Sequence, residues 1–476
     1  MIGEIAWKNV WRNKSRSLIV ITAVTIGVFA GIFSMAAINS SVEQRLDAAV
    51  NEELSHIQIN NKDFRSSGDV QDTIAGADSV IAIAEKTNGV NSVTGRIILR
   101  GIASTATKSE GVEITGIDPG KEKKMFNLSE KLIPGTGSYF GSGTKFNSAY
   151  MGEALAKELN IIRFILTAEA FTSLKDKGLP DKVITKLKKL KDQRYISEKS
   201  FTKAIQALLS QGENKKYGLK IREAAWSFRE GSKVILSFLD VNNIQTSAVF
   251  RITGIFRTNN DMFEAMSLFV PAEELRKLTG LREGSWHRLI IRLNSSSLTD
   301  EVTPKIREAF PGLEVLSWKE IQPDLAMMSD FMEQIYGVFM AIILAALAFG
   351  IVNTMLMAVL ERTRELGMLA AIGMNRRRIF SMIMLESVFL STVGGISGMI
   401  VSLAAIAATA RHGINLVRYS EGMEAFGFTA HLYPSVDVRF FIITAVLIVI
   451  TGIISSIYPA RKALKLNPVE AIRGEN

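Results

Sequence analysis

The sequence predicts an α-helical membrane domain of four transmembrane helices joined to a large α+β extracytoplasmic domain, the latter made of two βαβ-like units with an inserted β-rich subdomain. Three observations predict it. Four long runs are apolar and almost free of charge, each at or above the roughly 20 residues that a helix needs to cross a ~30 Å hydrocarbon core. The lysines and arginines near those runs gather at particular ends of them. Between the first two runs, residues 39–334 change to the mixed alternation of a strand-and-helix domain.

Residues 1–16, MIGEIAWKNVWRNKSR, place Ile2, Ile5, Ala6, Val10 and Trp11 along one side at helical spacing and Lys8, Arg12 and Arg16 along another. This is the pattern of an interfacial amphipathic helix, with Trp7 and Trp11 suited to headgroup depth. Residues 17–38 form the first span, and the length of their apolar stretch argues against a cleaved signal peptide. The second span covers 335–360, the third 379–410 and the fourth 440–460. Basic residues cluster before the first span, in 361–378 between the second and third, and in 461–476 after the fourth, whereas the loop 411–439 is mixed in sign. Positive-inside bias therefore puts both termini and 361–378 in the cytoplasm, and 39–334 outside.

Within 39–334, HIQIN (56–60) reads as a strand, 78–90 as a helix and 92–104 as a strand. The far end repeats the order, with a strand at 287–293, a helix at 298–310 and a strand at 313–318. Neither unit alone buries enough surface, so the two are expected to share one sheet. The middle adds strands at 111–117, 232–240, 247–257 and 266–271. GTGSYFGSGTK (135–145) has glycines in a loop but lacks the Gly-Lys-Ser/Thr core of a phosphate loop and reads as surface.

The formal net charge is +9, and sixteen Lys and Arg against eight Asp and Glu fall between Ile161 and Glu230, so +8 of it lies in one block. That concentration, with the remaining basic clusters beside apolar spans, argues against nucleic acid as a partner. The block 161–230 reads as amphipathic helices with a solvated lysine-rich face; docking to anionic lipid or an acidic partner is the alternative. The chain has no cysteine and four histidines, which leaves no thiolate metal site and little material for a zinc site or a His-based triad. Gly27 with Gly31 and Gly394 with Gly398 are small-xxx-small pairs for close helix packing. Asn353 and Thr354 are placed to hydrogen-bond across helices, and Glu386, inside the third span, reads as snorkelling or pairing with an arginine at the cytoplasmic interface.

The stretch ERTRELGMLAAIGMNRRRIF (361–380) resembles the cytoplasmic segment of FtsX-like permease domains, the group of MacB-type exporters and lipoprotein-releasing permeases. The matching residues are Glu361, Arg362, Thr363, Arg364, Glu365, Gly367, Ala371 and Gly373. YPARKALKLNPVEAIR (458–473) resembles that family's closing motif through Pro459, Ala460, Pro468, Val469 and Glu470, and AWKNVWRNKSRS (6–17) its opening segment. Relatives carry a basic residue where Ala370 stands, and the block 161–230 has the look of an insertion.

The resemblance implies the membrane subunit of an ABC transporter of the mechanotransmission type, in the inner membrane. Residues 361–378 would be a coupling helix on which a cytoplasmic ABC ATPase dimer acts. Glu361, Arg362, Arg364 and Glu365 would supply directional contacts there, Gly367 and Gly373 close approach or sharp ends, and Met368, Leu369, Ile372 and Ile379 a buried apolar side. No Walker A lysine or catalytic carboxylate cluster stands in the chain, so it is expected to be no enzyme and to bind no cofactor, with ATP and Mg on the partner ATPase. A second permease subunit, identical or related, membrane lipids and a periplasmic carrier or adaptor complete the implied partners. The expected work is release or export of a hydrophobic envelope cargo, lipoproteins first. MacB-type export of drugs, peptides or lipids, and FtsX-type regulation of a cell-wall hydrolase, are the alternatives.

Overall fold

The computed structural model describes residues 2–141, 146–229, 231–425, 427–435 and 437–464. They divide into a helical unit, Met1–Arg45 with Asp324–Ser420 and Thr429–Asn476, and a second unit, Leu46–Pro323 with Glu421–Phe428.

The helical unit holds an N-terminal helix, Ile2–Arg12, and four helices long and apolar enough to cross a membrane. The helices that contain these spans are Lys14–Ala48, Met332–Glu361, Arg376–His412 and Val438–Leu464. All four outrun the apolar stretch read from sequence by three or more residues at one end or both. Hydropathy marks only where lipid is preferred, while a helix continues as long as its backbone bonds close and one side stays packed. The first helix buries Val20, Val24, Val28, Gly31 and Met35 at three- and four-residue steps.

Glycines set which helices touch. A Cβ on Gly394 would lie 2.7 Å from Val24 and one on Gly398 2.8 Å from Val28, so the third span's backbone lies directly on the first. The hydroxyl of Thr25 donates to the Gly394 carbonyl at 3.1 Å across the same contact. Gly27 and Gly31 turn instead toward Leu347 and Met340 of the second span, and Gly395 toward Ile448 of the fourth. Second and fourth spans are joined by Tyr336, whose hydroxyl bonds the hydroxyl of Thr444 and donates to the Phe440 carbonyl. Thr354 does not reach across: its hydroxyl donates to Gly350 of its own helix at 2.8 Å, and Asn353 is exposed. A hydroxyl one turn from a carbonyl finds that acceptor before any neighbour.

The other unit is built on strands β1 (Ile57–Asn60), β2 (Val90–Ser104), β3 (Ser109–Ile117), β4 (Ser148–Gly152), β5 (Ile162–Phe164), β6 (Trp226–Phe228), β7 (Lys233–Leu239), β8 (Gln245–Phe256), β9 (Ser267–Pro271), β10 (Arg288–Leu293) and β11 (Glu314–Ser317). Nine of them form one sheet in the order β11-β1-β10-β2-β3-β9-β4-β8-β7, and β7 pairs again with β2. Strands β1 and β2 both run antiparallel to β10, and β10 and β11 both antiparallel to β1. The two βαβ units are therefore interleaved rather than side by side. Their helices, Ala77–Lys86 and Thr299–Ala309, cover one face with Val80, Ala84, Val302 and Ile306 over Ile57, Ile59, Leu289 and Ile291.

The middle strands are not a separate layer. Because β2 is fifteen residues long, its first half pairs with β10 and its second with β3 and β7. This closes β2-β3-β9-β4-β8-β7 into a ring around Ile97, Leu99, Ile114, Met151, Leu236 and Phe250. Gly137 is required where the described part of the glycine loop meets this ring: at φ +123 a Cβ would fall 2.0 Å from the Thr253 carbonyl.

Glu264 is buried against the ring. Its carboxylate accepts from the Ala154 amide at 3.2 Å and from the amide and hydroxyl of Thr258, yet burial still pushes its pKa up to about 7 from 4.5. The unfolded chain releases this proton at lower pH than the folded one, so stability is highest below pH 4.5 and falls as pH rises toward 7. Relative to Glu264→Gln, the wild type is expected to lose about 3 kcal/mol across that window, measured by chemical unfolding at a series of pH values.

The basic block is a small helical body with its own core, in which Leu166, Leu174, Leu187, Phe201, Ile205 and Ile221 meet. It joins the ring through β5 and β6, which pair antiparallel with Ile162 opposite Phe228. The chain thus leaves and returns at adjacent points, the geometry that tolerates insertion. Replacing 164–226 by a short turn is expected to keep expression and membrane insertion, with the thermal midpoint of the remaining chain unchanged; an unfolded product would show that the body carries part of the core.

Candidate functional site: a charged clasp and an exposed helix face

Between the second and third spans a short helix, Thr363–Ala371, is closed by Gly373 at φ +93, a left-handed position that favours glycine. Among its described residues Leu366 and Gly367 are buried. The glutamates that flank and enter it turn inward, toward the N-terminal segment. Glu365 accepts from Arg12 at 2.7 Å and from Arg362 at 2.9 Å, and Glu361 pairs with Arg16. The guanidinium of Arg12 holds the Glu365 carboxyl below the usual carboxylate range, and the same contact raises Arg12.

Arg362 continues the network inward. Its Nη1 donates to Glu386 of the third span at 3.2 Å, and the side-chain amide of Asn9 donates to the same carboxylate at 2.6 Å. Glu386 is therefore the buried end of a chain of charges, paired with an arginine as its depth required. The N-terminal helix is seated by Ala6 and Val10 and by Trp7, whose ring meets Phe389 edge-on at 5.5 Å. Asn9, Arg12, Arg16, Glu361, Arg362 and Glu386 line a polar cleft of about 230 Å³.

The opposite face of the short helix differs from the sequence reading. Leu369 is half-buried and Ile379 buried, but Met368 is 50% exposed and Ile372 85% exposed. With Arg364, also exposed, they stand at four-residue steps and so share one side of the helix. Amphipathic spacing says that such residues lie together but not which neighbour covers them. Sequence reasoning also missed Asn9, Arg12 and Arg16 as partners; the signal was their helical spacing, which had been read only as topology and interface.

Pro459 and Ala460 are buried in the fourth span, whereas Pro468, Val469 and Glu470 lie outside the described residues. Among the described residues no group of three or more His, Asp or Glu is placed to hold a metal ion.

The helical unit thus combines four helices long and apolar enough to cross a membrane with an N-terminal helix and a charged helix between the second and third of them. Residues 337–468 match the model of the FtsX-like permease C-terminal family. An uncharacterized ABC transporter permease of Methanocaldococcus jannaschii is 27% identical over 48% of this chain and 55% of its own length. The macrolide export ATP-binding/permease protein MacB of Chlorobium luteolum is 30% identical over 48% of this chain and 29% of its own. The chain thus spans about half the length of the first relative and less than a third of the second. The solved periplasmic region of MacB from Actinobacillus actinomycetemcomitans aligns with 59% of this chain and 97% of its own at 14% identity and TM-score 0.27. Residues 337–468 thus match an FtsX-like permease C-terminal domain, and the chain is similar to MacB-type ABC transporter permeases.

Proposed function

We propose that this chain is the membrane subunit of a mechanotransmission ABC transporter, driven by a separate cytoplasmic ATPase dimer and releasing or exporting a hydrophobic envelope cargo. The observation that carries the reading is the exposed face Arg364, Met368 and Ile372 on a helix clasped from behind. Exposed apolar side chains beside an arginine are the composition of a protein contact. The clasp makes the N-terminal helix, the coupling helix and the third span one mechanical element, so that a push on the exposed face moves the spans. Both termini and residues 361–378 lie in the cytoplasm in this scheme, and residues 39–334 lie outside. ATP and Mg belong to the ATPase, and two permease subunits make the transporter.

Export is favoured because a relative bears it in its name, and lipoproteins remain the first cargo to test. Depleting the protein and following acylated lipoproteins through envelope fractions by mass spectrometry is the experiment. Accumulation in the inner membrane assigns lipoprotein release; normal sorting moves the cargo to exported small molecules, peptides or lipids. Loss of ATPase co-purification in Met368→Asp with Ile372→Asp tests the docking face itself, and retained binding would overturn it.

A further inference from the structure

The face of the interleaved sheet that is turned away from the two covering helices carries four arginines. Strand β10, RLIIRL, alternates strictly: Leu289, Ile291 and Leu293 enter the core, and Arg288, Ile290 and Arg292 take the other face. On β2 the same face bears Arg96, opposite Arg288 in register, and Arg100, opposite Glu113. Two of these four guanidiniums are satisfied within the fold. Arg96 pairs with the buried Glu122, and Arg292 donates to the Met125 carbonyl at 2.8 Å.

The other two are not. Arg288 is half-buried, and its Nε donates to Asn60 at 3.0 Å, but neither it nor Arg100 has an ion-pair partner among the described residues. Burial pulls the Arg288 guanidinium down from its ordinary value, although an arginine stays charged. Both face a pocket of about 90 Å³ lined also by Arg65 and Glu113, so three guanidiniums meet one carboxylate there. Arg65 lies 3.6 Å from Glu314, which holds it at the rim. Phe64, Ile98 and Leu316 supply an apolar wall.

We propose that this arginine pocket binds an oxyanion, a carboxylate or a phosphate, carried on a molecule with an adjoining apolar part. Planar guanidiniums bind such groups through paired hydrogen bonds, most strongly where water is partly excluded. The pocket is far smaller than the ~300 Å³ of an ordinary small-molecule site, which limits it to the charged head of a ligand.

The test is calorimetric titration of the full chain in neutral detergent without ATP, with inorganic phosphate and acetate as separate probes. Saturable binding of either is expected, and the tighter of the two names the source of the oxyanion. Arg100→Gln, which removes an exposed and unpaired side chain, is expected to weaken it roughly tenfold, as is Arg288→Gln where that variant folds. Lys124→Gln, at a basic surface elsewhere on the unit, should leave it unchanged. Absence of saturable binding, binding indifferent to Arg100→Gln, or equal weakening by Lys124→Gln would each overturn the proposal. The measurement needs neither ATPase nor transport, so its failure is separable from failure of the transporter reading.

Discussion

Glu361→Arg is expected to lower ATP-driven activity roughly tenfold, equivalent to ~1.4 kcal/mol at the coupling step, and Arg16→Glu in the same chain is expected to restore most of it. Glu361 pairs with Arg16 of the N-terminal segment, so reversing one charge sets two cations against each other and reversing both rebuilds the attraction. A single exposed pair contributes only about 0–1 kcal/mol. This one lines the same cleft as the network Arg12–Glu365–Arg362 that ends at the buried Glu386, and reversing it puts a like charge beside that network. ATPase activity of the purified complex, compared with and without the permease variants, reads the result. Recovery in the double variant shows that Glu361 acts through Arg16, at the start of the first-span helix. No recovery would place it directly against the ATPase, as the sequence reading had it.

The second large effect is expected at the glycines, and it is unequal between the two pairs. Gly394→Ala and Gly398→Ala bring a Cβ to 3.0 Å from the Ile21 carbonyl and 2.9 Å from the Thr25 carbonyl, and backbone cannot step aside. Each should cost about 1–3 kcal/mol of bundle stability, the usual penalty of overpacking. Gly27→Ala and Gly31→Ala meet the ends of Leu347 and Met340, which can rotate away, and should cost under about 1 kcal/mol. Thermal unfolding of the four single variants in detergent decides it; equal losses at all four positions would show that the spans pack less closely at Gly394 and Gly398 than described.

These contrasts show what the sequence could and could not tell. The four spans were legible because lipid imposes one requirement on every side chain in a run, and the outer strands of the second unit because β and α periods alternate there. Strand β4, SAYMG, escaped because five residues without a polar–apolar alternation leave no period to read. Closure of the ring through β7 and β2 was illegible for another reason: pairing between distant strands leaves no mark on either. The clasp combines both limits. Arg12 and Glu365 are 353 positions apart, and each has a sufficient local explanation in topology or in a family motif. Met368 and Ile372 were correctly grouped on one face, but spacing alone does not say whether that face is packed or open.

The return of β7 to β2 also governs how the second unit meets other chains. A sheet that closes on itself has no row of unpaired amides along the closed part, so no foreign strand can extend it there. Among the described residues β11, a strand of four residues, Glu314–Ser317, stands at the end of the large sheet with one side unpaired. Strand addition is thereby restricted to a short strip that begins with a charged side chain. Along the closed part recognition is left to side chains.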